Sequence, residues 1–448
     1  MTRRHVLVGI GPAAVAAAEA IRGDDDLAEI TIVGADPHGY YSRPGLAYLM
    51  TREMPQERLH PFTEEDFAQL RIRRIVDRVV GIDLAARRVS LAKGRQLPYD
   101  CLLIATGSTS MPPKAPGAEL DGVVKLDDMD DALGIIQRCR EAKSAVVVGG
   151  GITALEIVEG LRSRNVHVHY FLRRDRFWAN VLSESESRLV AEGLHKDGVE
   201  VHQNTELARI IGANGRVTGV EISEGARIAC EIVAVAIGVR PVIELAQTAG
   251  LDCGRGVLVD EYLRSSDEHV FAAGDIAEVR DPQTGRGALH VLWNTAVDKG
   301  RIAGRNMAVS ALGEAGERQM HPYSTGHPLN ITRLAGLHTT IIGAVGGGVD
   351  ADMQSLSRGA SQVWSEPSEA VVVEADSEDE HVRLALGDRV IAGAVVMGDQ
   401  TLSFPLQDLI ERRTDVSHIQ ADLTAPAAPI SELVHSAWHG AGGNDVQA

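Results

Sequence analysis

Residues His5 to Arg22, HVLVGIGPAAVAAAEAIR, set the terms for everything downstream. Val6, Leu7 and Val8 predict a buried strand, followed by a tight turn and an Ala-rich helix. Gly9, Gly11 and Ala14 stand in the turn at G-x-G-x-x-A spacing. The first glycine lets the chain reverse, the second leaves room for a pyrophosphate, and the small third residue lets the helix pack on its strand. The helix N-terminus then offers unpaired N–H groups and a partial positive charge to the phosphates. Pro12 suits the first helical turn, where its missing N–H costs nothing. A second strand, Ile30 to Val33, follows, and Asp36 lies just past it, where a carboxylate can take ribose hydroxyls. The stretch predicts a dinucleotide site; an Ala/Gly-rich strand-turn-helix without a ligand is the plainer alternative.

The same pattern returns in AVVVGGGITALEIVEGLRSR, with Gly149, Gly151 and Ala154 at the turn and VHVHYFL (166 to 172) as the second strand. One such unit holds one dinucleotide, so a duplication predicts two dinucleotides face to face. Where a ribose-binding carboxylate would end the second strand stands Leu172, followed by Arg173 and Arg174. Arginine there suits a 2′-phosphate and favours NADPH over NADH. The other reading is a solvated turn, with NADH held through backbone contacts.

A chain of 448 residues has room for two or three domains, and 44% hydrophobic with 24% charged residues is ordinary for a soluble globular protein. The net charge of −18 argues against nucleic acid or an anionic membrane as partner. No apolar run is long enough to span a membrane, and MTRRHVLVG enters its first strand without a cleavage pattern, so a cytoplasmic protein is expected. Cys101, Cys139, Cys230 and Cys253 form neither C-x-x-C nor a metal-ligand cluster with histidine, and no metal site is expected.

Between the two units, HGYYSRPGLAYLM leads into a helix at about Gly45, and residues 71 to 91 predict short strands. Arg71, Arg73, Arg74 and Arg78 form either a basic docking patch or the solvated side of a strand. LPYDCLLIATGS predicts a buried strand ending at Ala105-Thr106-Gly107, and a helix is expected from about Asp128 to Arg140. IACEIVAVAIGVRP closes the second unit at Gly238. VFAAGD then ends a strand at Gly274-Asp275, where a carboxylate can accept from a polyol hydroxyl, and residues 291 to 308 predict a helix with Trp293 at its start. Composition marks a boundary near 310 to 327; antiparallel strands, a helix capped at Ser403 and a second helix at ISELVHSAW follow, with a loose tail, GAGGNDVQA.

Taken in order, GIGPAA, LLIATG, VVVGGGITALE, AVAIGVRP and VFAAGD resemble the two-dinucleotide-binding-domain flavoproteins of the pyridine nucleotide-disulfide oxidoreductase superfamily. Rubredoxin and ferredoxin reductases, NADH oxidases and the flavin half of assimilatory nitrite reductases look most similar. The resemblance implies an α/β fold of two Rossmann-like domains plus a C-terminal α+β interface domain that usually makes a dimer. The expected division is 1–113 with 250–325 for FAD, 114–249 for NAD(P)H and 326–448 for the interface. It implies FAD at Gly9, Gly11, Pro12, Ala14, Asp36, Arg43, Thr106, Gly107, Gly274 and Asp275, with Trp293, Thr295 and Ala296 facing the flavin's pyrimidine edge. It implies NAD(P)H at Gly149, Gly151, Ala154 and Gly238, with Glu156 near the nicotinamide.

Two departures narrow the chemistry. Thiol-using members carry a redox cysteine in the segment aligning with SRPGLAYL; here that position is Arg43 or Pro44, so no thiolate relay is expected. Ferredoxin reductases of this type carry R-P-P-L-S-K, its lysine paired with the second unit's glutamate. Arg43, Pro44 and Leu46 match, but Tyr48 replaces the lysine, to bond Glu156, cover the ring or simply pack. The expected function is FAD-dependent transfer of electrons from NAD(P)H to an acceptor (a ferredoxin- or rubredoxin-like protein, a quinone or oxygen), with Arg43, Tyr48 and Glu156 near the reactive face. A redox-sensing module similar to apoptosis-inducing factor is the alternative, and a disulfide or peroxide reductase the reading that the cysteines disfavour.

Overall fold

The computed structural model describes residues 2–280, 287–310, 314–324, 326–346, 370–376 and 380–443. The chain opens with β1 (Arg4–Val8), α1 (Pro12–Asp24), β2 (Glu29–Gly34), α2 (Gly45–Met50) and β3 (Ile72–Val76). A three-stranded antiparallel meander (Val79–Asp83, Arg88–Leu91, Gln96–Pro98) leads to β4 (Cys101–Ile104) and β5 (Ser108–Ser110). The second unit runs β6 (Val123–Val124), α3 (Met129–Arg138), β7 (Ser144–Val148), α4 (Ile152–Arg162), β8 (His167–Phe171), α5 (Glu184–Lys196) and β9 (Glu200–His202). Its own meander (Leu207–Ala213, Arg216–Ile222, Arg227–Ala229) leads to β10 (Ile232–Val235) and β11 (Val239–Pro241). The chain returns through β12 (Val270–Ala272) and α6 (Trp293–Ser310) and ends in β13 (Leu329–Leu334), β14 (Leu337–Gly343), β15 (Val371–Asp376), β16 (Glu380–Leu386), β17 (Ile391–Gly398), α7 (Ser403–Glu411) and α8 (Ile430–Gly440).

The duplication is visible in the strand order. The first parallel sheet runs β12-β4-β1-β2-β3 and the second β6-β10-β7-β8-β9, so each unit places its glycine turn at the C-terminal end of the sheet's central strand. The outer strand beyond β4 comes from residues 270–272, late in the chain, whereas the one beyond β10 comes from residues 123–124, ahead of the unit's glycine turn. The antiparallel pair β5 and β11 carries the chain between the units. The C-terminal sheet is wholly antiparallel, in the order β13-β14-β17-β16-β15, with α7 and α8 on one face.

Packing ties these layers together. Leu334, Ile341, Val395 and Met397 of the C-terminal sheet belong to the same buried cluster as Val147, Ile157 and Val168 of the second unit and Leu46 and Met50 of α2. In the first unit, α1 and α6 touch backbone to backbone. A Cβ at Gly300 would lie 2.2 Å from Ala13 O, and one at Gly304 would lie 2.3 Å from Ala17 O. Small residues four apart on both helices permit that approach, which multiplies dispersion contacts along the seam.

Some local expectations need correction. Ser403 does not cap its helix but begins it: Leu402 precedes it without a side-chain cap, and the Ser403 hydroxyl donates to Gln400 Oε1 at 2.9 Å. The arginine string follows the edge strand β3, where Arg71 pairs with Asp26 and Arg74 with Glu64, while Arg73 and Arg78 stay exposed. Half of that basic patch is therefore already met by acid. In the expected tail, the Gly443 N–H donates to Trp438 O at 2.9 Å; residues 444–448 lie outside the described residues.

Candidate functional site

At the first turn Gly9 has φ +117°, and a Cβ there would meet Ala105 O at 2.1 Å, so only glycine fits. Its N–H donates to Val33 O at 2.8 Å, tying the turn to β2. Gly11 is the opposite case: nothing lies within 4 Å of a Cβ built on it. It precedes α1 without a side-chain cap, Pro12 opens the helix, and Ala14 is fully buried. The turn in front of α1 is thus open at Gly11, while the Ala14 and Val15 N–H groups already donate to Gly11 O, at 3.1 and 3.2 Å, so room at a helix N-terminus is what this end offers a diphosphate. Asp36 stands half-buried at the rim. One of its oxygens accepts from the His38 N–H at 2.9 Å, the other from the Tyr41 hydroxyl at 2.9 Å, and Tyr41 accepts from the Met129 N–H. Each carboxylate oxygen keeps lone pairs for a ribose hydroxyl. Tyr41 was not singled out from sequence; burial pushes its phenol above its ordinary value.

The ends of β4 and β12 converge beside this turn. The Thr106 hydroxyl donates to Val242 O at 2.9 Å, and Gly107, at φ +71°, accepts from the Val242 N–H. The Ser108 hydroxyl donates to Asp275 Oδ2 at 2.6 Å, aiming the carboxylate. Behind Gly274 and Asp275, Lys299 of α6 is fully buried and donates to Gly274 O (3.3 Å) and Ala277 O (3.0 Å). Burial lowers its ammonium to about 8, against the pull of Asp275. Trp293 stacks on Tyr40 with centroids 6.1 Å apart, and Thr295 and Ala296 are buried in the first turn of α6, both bonded to Leu292 O. Lys299 escaped the sequence reading because a lysine on a helix is ordinarily placed in solvent.

The second turn repeats the geometry. Gly149 has φ +145° and a Cβ there would lie 2.2 Å from Ala236 O; Gly151 leads into α4 without a side-chain cap, and Ala154 is fully buried. In front of it opens a shallow cleft lined by Ser110, Gly151, Thr153, Ala236 and Gly238 among others. Trp178, buried and held at φ +45°, donates its N–H to Gly150 O at 2.8 Å and walls the turn. Arg173 and Arg174 are exposed beyond β8, and the Arg174 guanidinium donates to Asn180 Oδ1 at 3.0 Å. The backbone beneath them is fixed by Asn204 N–H to Arg174 O (3.0 Å) and Thr205 N–H to Leu172 O (2.9 Å).

Between the turns, α2 lies on α4: a Cβ at Gly160 would sit 2.8 Å from Met50 Cβ, and Ser163 and Arg164 both donate to Met50 O. Arg43 is exposed at the start of this helix, and Glu156 is half-buried in the second turn of α4. Tyr48, half-buried, packs under Arg333 of the C-terminal sheet, whose guanidinium carbon is 6.0 Å from the ring centroid and which pairs with Glu53 at 2.7 Å. A further carboxyl, Glu159, is pushed up to about 7 by burial at the same junction. Burial also raises all four thiols, Cys230 to about 12, so none is a ready thiolate.

Residues 3–300 match the family model described as pyridine nucleotide-disulphide oxidoreductase. The chain is 32% identical over 293 residues to the ferredoxin–NAD(+) reductase component of the biphenyl dioxygenase system of Paraburkholderia xenovorans (strain LB400), covering 65% of this chain and 72% of that one. It is 26% identical over 420 residues to nitrite reductase [NAD(P)H] of Bacillus subtilis (strain 168), covering 93% of this chain and 48% of the relative. The crystal structure of the ferredoxin reductase for the CYP199A2 system of Rhodopseudomonas palustris superposes with a TM-score of 0.83 at 24% identity, over 97% of this chain and all of the other, and shares the fold.

Proposed function

This chain belongs to the pyridine nucleotide-disulphide oxidoreductase family, and from that premise we propose that it passes electrons from NAD(P)H through FAD to a small iron–sulfur or rubredoxin-type carrier. The observation that carries the reading is the pair of uncapped helix ends at Gly11 and Gly151, with no low-pKa thiol to receive electrons. A bound flavin supplies acceptance of a hydride and its release as single electrons.

The chain's own residues bind and orient. The N-terminus of α1 receives the flavin nucleotide's diphosphate and Asp36 the adenosine ribose. Asp275, aimed by Ser108, accepts from the ribityl chain, and the first turn of α6 from Trp293 to Ala296 faces the pyrimidine edge. The cleft at Gly151 and Gly238, beside the Gly149 turn, takes the nicotinamide nucleotide, with Glu156 toward the nicotinamide and Arg43 and Tyr48 at the facing edge. Holding both rings against each other converts the transfer into an effectively intramolecular step. Arg173 and Arg174 meet a 2′-phosphate, which makes NADPH the preferred donor. Residues 1–113 with 250–325 form the flavin domain, 114–249 the nicotinamide domain and 326–448 a domain whose outer face pairs two copies. No helix among the described residues is long and apolar enough to cross a membrane, and a cytoplasmic site of action suits a carrier-linked reductase.

Stopped-flow reduction by NADH and NADPH, followed by turnover with ferredoxin, rubredoxin, a quinone and oxygen, tests the assignment. Reduction within the dead time of a mixing experiment and a carrier protein outpacing oxygen are expected. Slow reduction to a long-lived charge-transfer complex, with a change of oligomer, would replace the reductase by a redox sensor.

A further inference from the structure

Away from both glycine turns, the edge of the second parallel sheet gathers three imidazoles and a carboxylate. His167 and His169 lie two apart on β8, and Glu200 and His202 two apart on the outermost strand, β9. Residues two apart on a strand share a face, and the parallel register sets His169 beside Glu200 and Phe171 beside His202, so all four stand on one side of the sheet. His167 Nε2 is 2.9 Å from Glu200 Oε1, and His169 Nδ1 is 3.2 Å from Oε2. His202 Nε2 is 3.1 Å from His169 Nδ1 and 4.0 Å from Glu200 Oε2.

We propose that His167, His169 and Glu200 bind a divalent transition ion of the zinc class, with His202 at the adjoining position. The donor atoms of the first three all lie within 4.8 Å of one another. Donors around a tetrahedral ion with bonds of about 2.0–2.1 Å stand roughly 3.4 Å apart, so no pair in the set has to close by more than about 1.4 Å. Two imidazoles and a carboxylate match the nitrogen and oxygen preference of zinc, cobalt(II) and nickel(II) and are poor for magnesium or calcium.

A plain ion-pair cluster accounts for the arrangement less well. A single carboxylate is shared among three imidazoles, and His169 and His202 face each other nitrogen to nitrogen at 3.1 Å, which turns the donor atoms toward one common point. His167 and Glu200 keep 43% and 54% of their side chains exposed, which gives an ion its entry path. His167 and Glu200 lie toward the N-terminal end of the paired strands, whereas His202 stands beside Phe171 at the end that leads to Arg173. The site is connected to the nucleotide cleft: β9 runs on into Asn204 and Thr205, which hold the backbone of Arg174 and Leu172. Bridging β8 to β9 therefore stiffens the loop that carries both arginines.

The test is zinc binding by equilibrium dialysis against the flavin-loaded full chain, with cobalt(II) as a spectroscopic probe in the red beyond flavin absorption, and thermal melts with and without zinc. One equivalent of zinc bound at micromolar concentration or tighter is expected, with tetrahedral cobalt bands and a zinc-dependent rise in Tm. Affinity falls at least about tenfold in H169N and in E200Q, and the stoichiometric site is gone in H167N/E200Q, whose exposed positions leave the fold and flavin content intact. A full equivalent retained by H167N/E200Q, or wild-type binding no tighter than that variant's, overturns the proposal.

Discussion

Two glycines in one turn have opposite reasons for being glycine. Gly9 has no room for a side chain, because a Cβ would press on Ala105 O at 2.1 Å, whereas Gly11 has nothing within 4 Å. Gly9→Ala therefore strikes the fold itself. Gly11→Val leaves the fold intact and fills the space of the diphosphate, so soluble, folded protein lacking the yellow chromophore is expected on purification, checked by absorbance and circular dichroism. Arg173, exposed beyond β8, gives the matching experiment at the second turn. If Arg173 meets the 2′-phosphate as proposed, Arg173→Glu removes that partner and adds a repulsive charge, so kcat/KM for NADPH should fall at least about tenfold while that for NADH changes little, as read from steady-state rates with both donors. Spacing alone announced these positions, because the turn must be tight whatever surrounds it. Lys299 and Tyr41 carried no such signal: burying a lysine is decided by Gly274 O and Ala277 O, and Tyr41 reaches Asp36 across a loop.

At the scale of elements, β1, β7, β10 and β12 were legible because each is a short apolar run with a glycine close behind it, whereas β6 and β9, two and three residues long, carry no such run. How helices pair was not. The α1–α6 seam joins residues nearly 290 positions apart, and Gly300 and Gly304 look like poor helix formers until Ala13 and Ala17 are placed against them. Gly300→Ala raises helix propensity yet drives a Cβ into Ala13 O, so a loss of about 1–3 kcal/mol is expected in denaturant melts. Gly134 in α3 supplies the control: nothing lies within 4 Å of its Cβ position, and Gly134→Ala should stabilise by up to about 1 kcal/mol. The histidines of β8 were in plain view at alternate positions, but their partners on β9 lie about thirty residues on, and only the parallel register brings the two pairs together.

The whole molecule is held by contacts between units that no local pattern announces. Arg383 of β16 is buried and donates to Glu186 of α5 at 2.9 Å and to Val181 O at 2.7 Å, with His381 3.4 Å from the same carboxylate. Burial pushes Glu186 up, but His381 and Arg383 outweigh it and hold the carboxyl below its ordinary value. Arg383→Ala leaves that buried charge with only His381 and the Ser183 N–H and should cost about 3–5 kcal/mol, whereas E186Q/R383M recovers most of the loss, a double-mutant result that separates lost charge from lost packing.

Glu159 reports on the same docking through pH. It sits on α4 against the turn between β13 and β14, where burial raises its carboxyl to about 7 against the pull of Arg333 and of the Ala335 and Gly336 N–H groups. In the unfolded chain the same carboxyl ionises near its ordinary value of 4.5, so between that pH and about 7 the folded state holds a proton that the unfolded state has released. Stability from this group is complete below about 4.5, declines as pH rises toward 7 and is flat beyond, with a ceiling of roughly 3 kcal/mol on the loss. The folded pKa of His381 is also raised, so its stabilisation likewise fades as pH climbs, and wild-type melts alone cannot assign the slope. The difference between wild type and Glu159→Gln can: Gln still accepts from the turn but has no proton to lose. The two Tm curves should run together near pH 5 and separate toward pH 8, with the variant the more stable. Parallel curves across that range would place the ionisation elsewhere and leave Arg333 and the turn's N–H groups strong enough to keep Glu159 charged throughout.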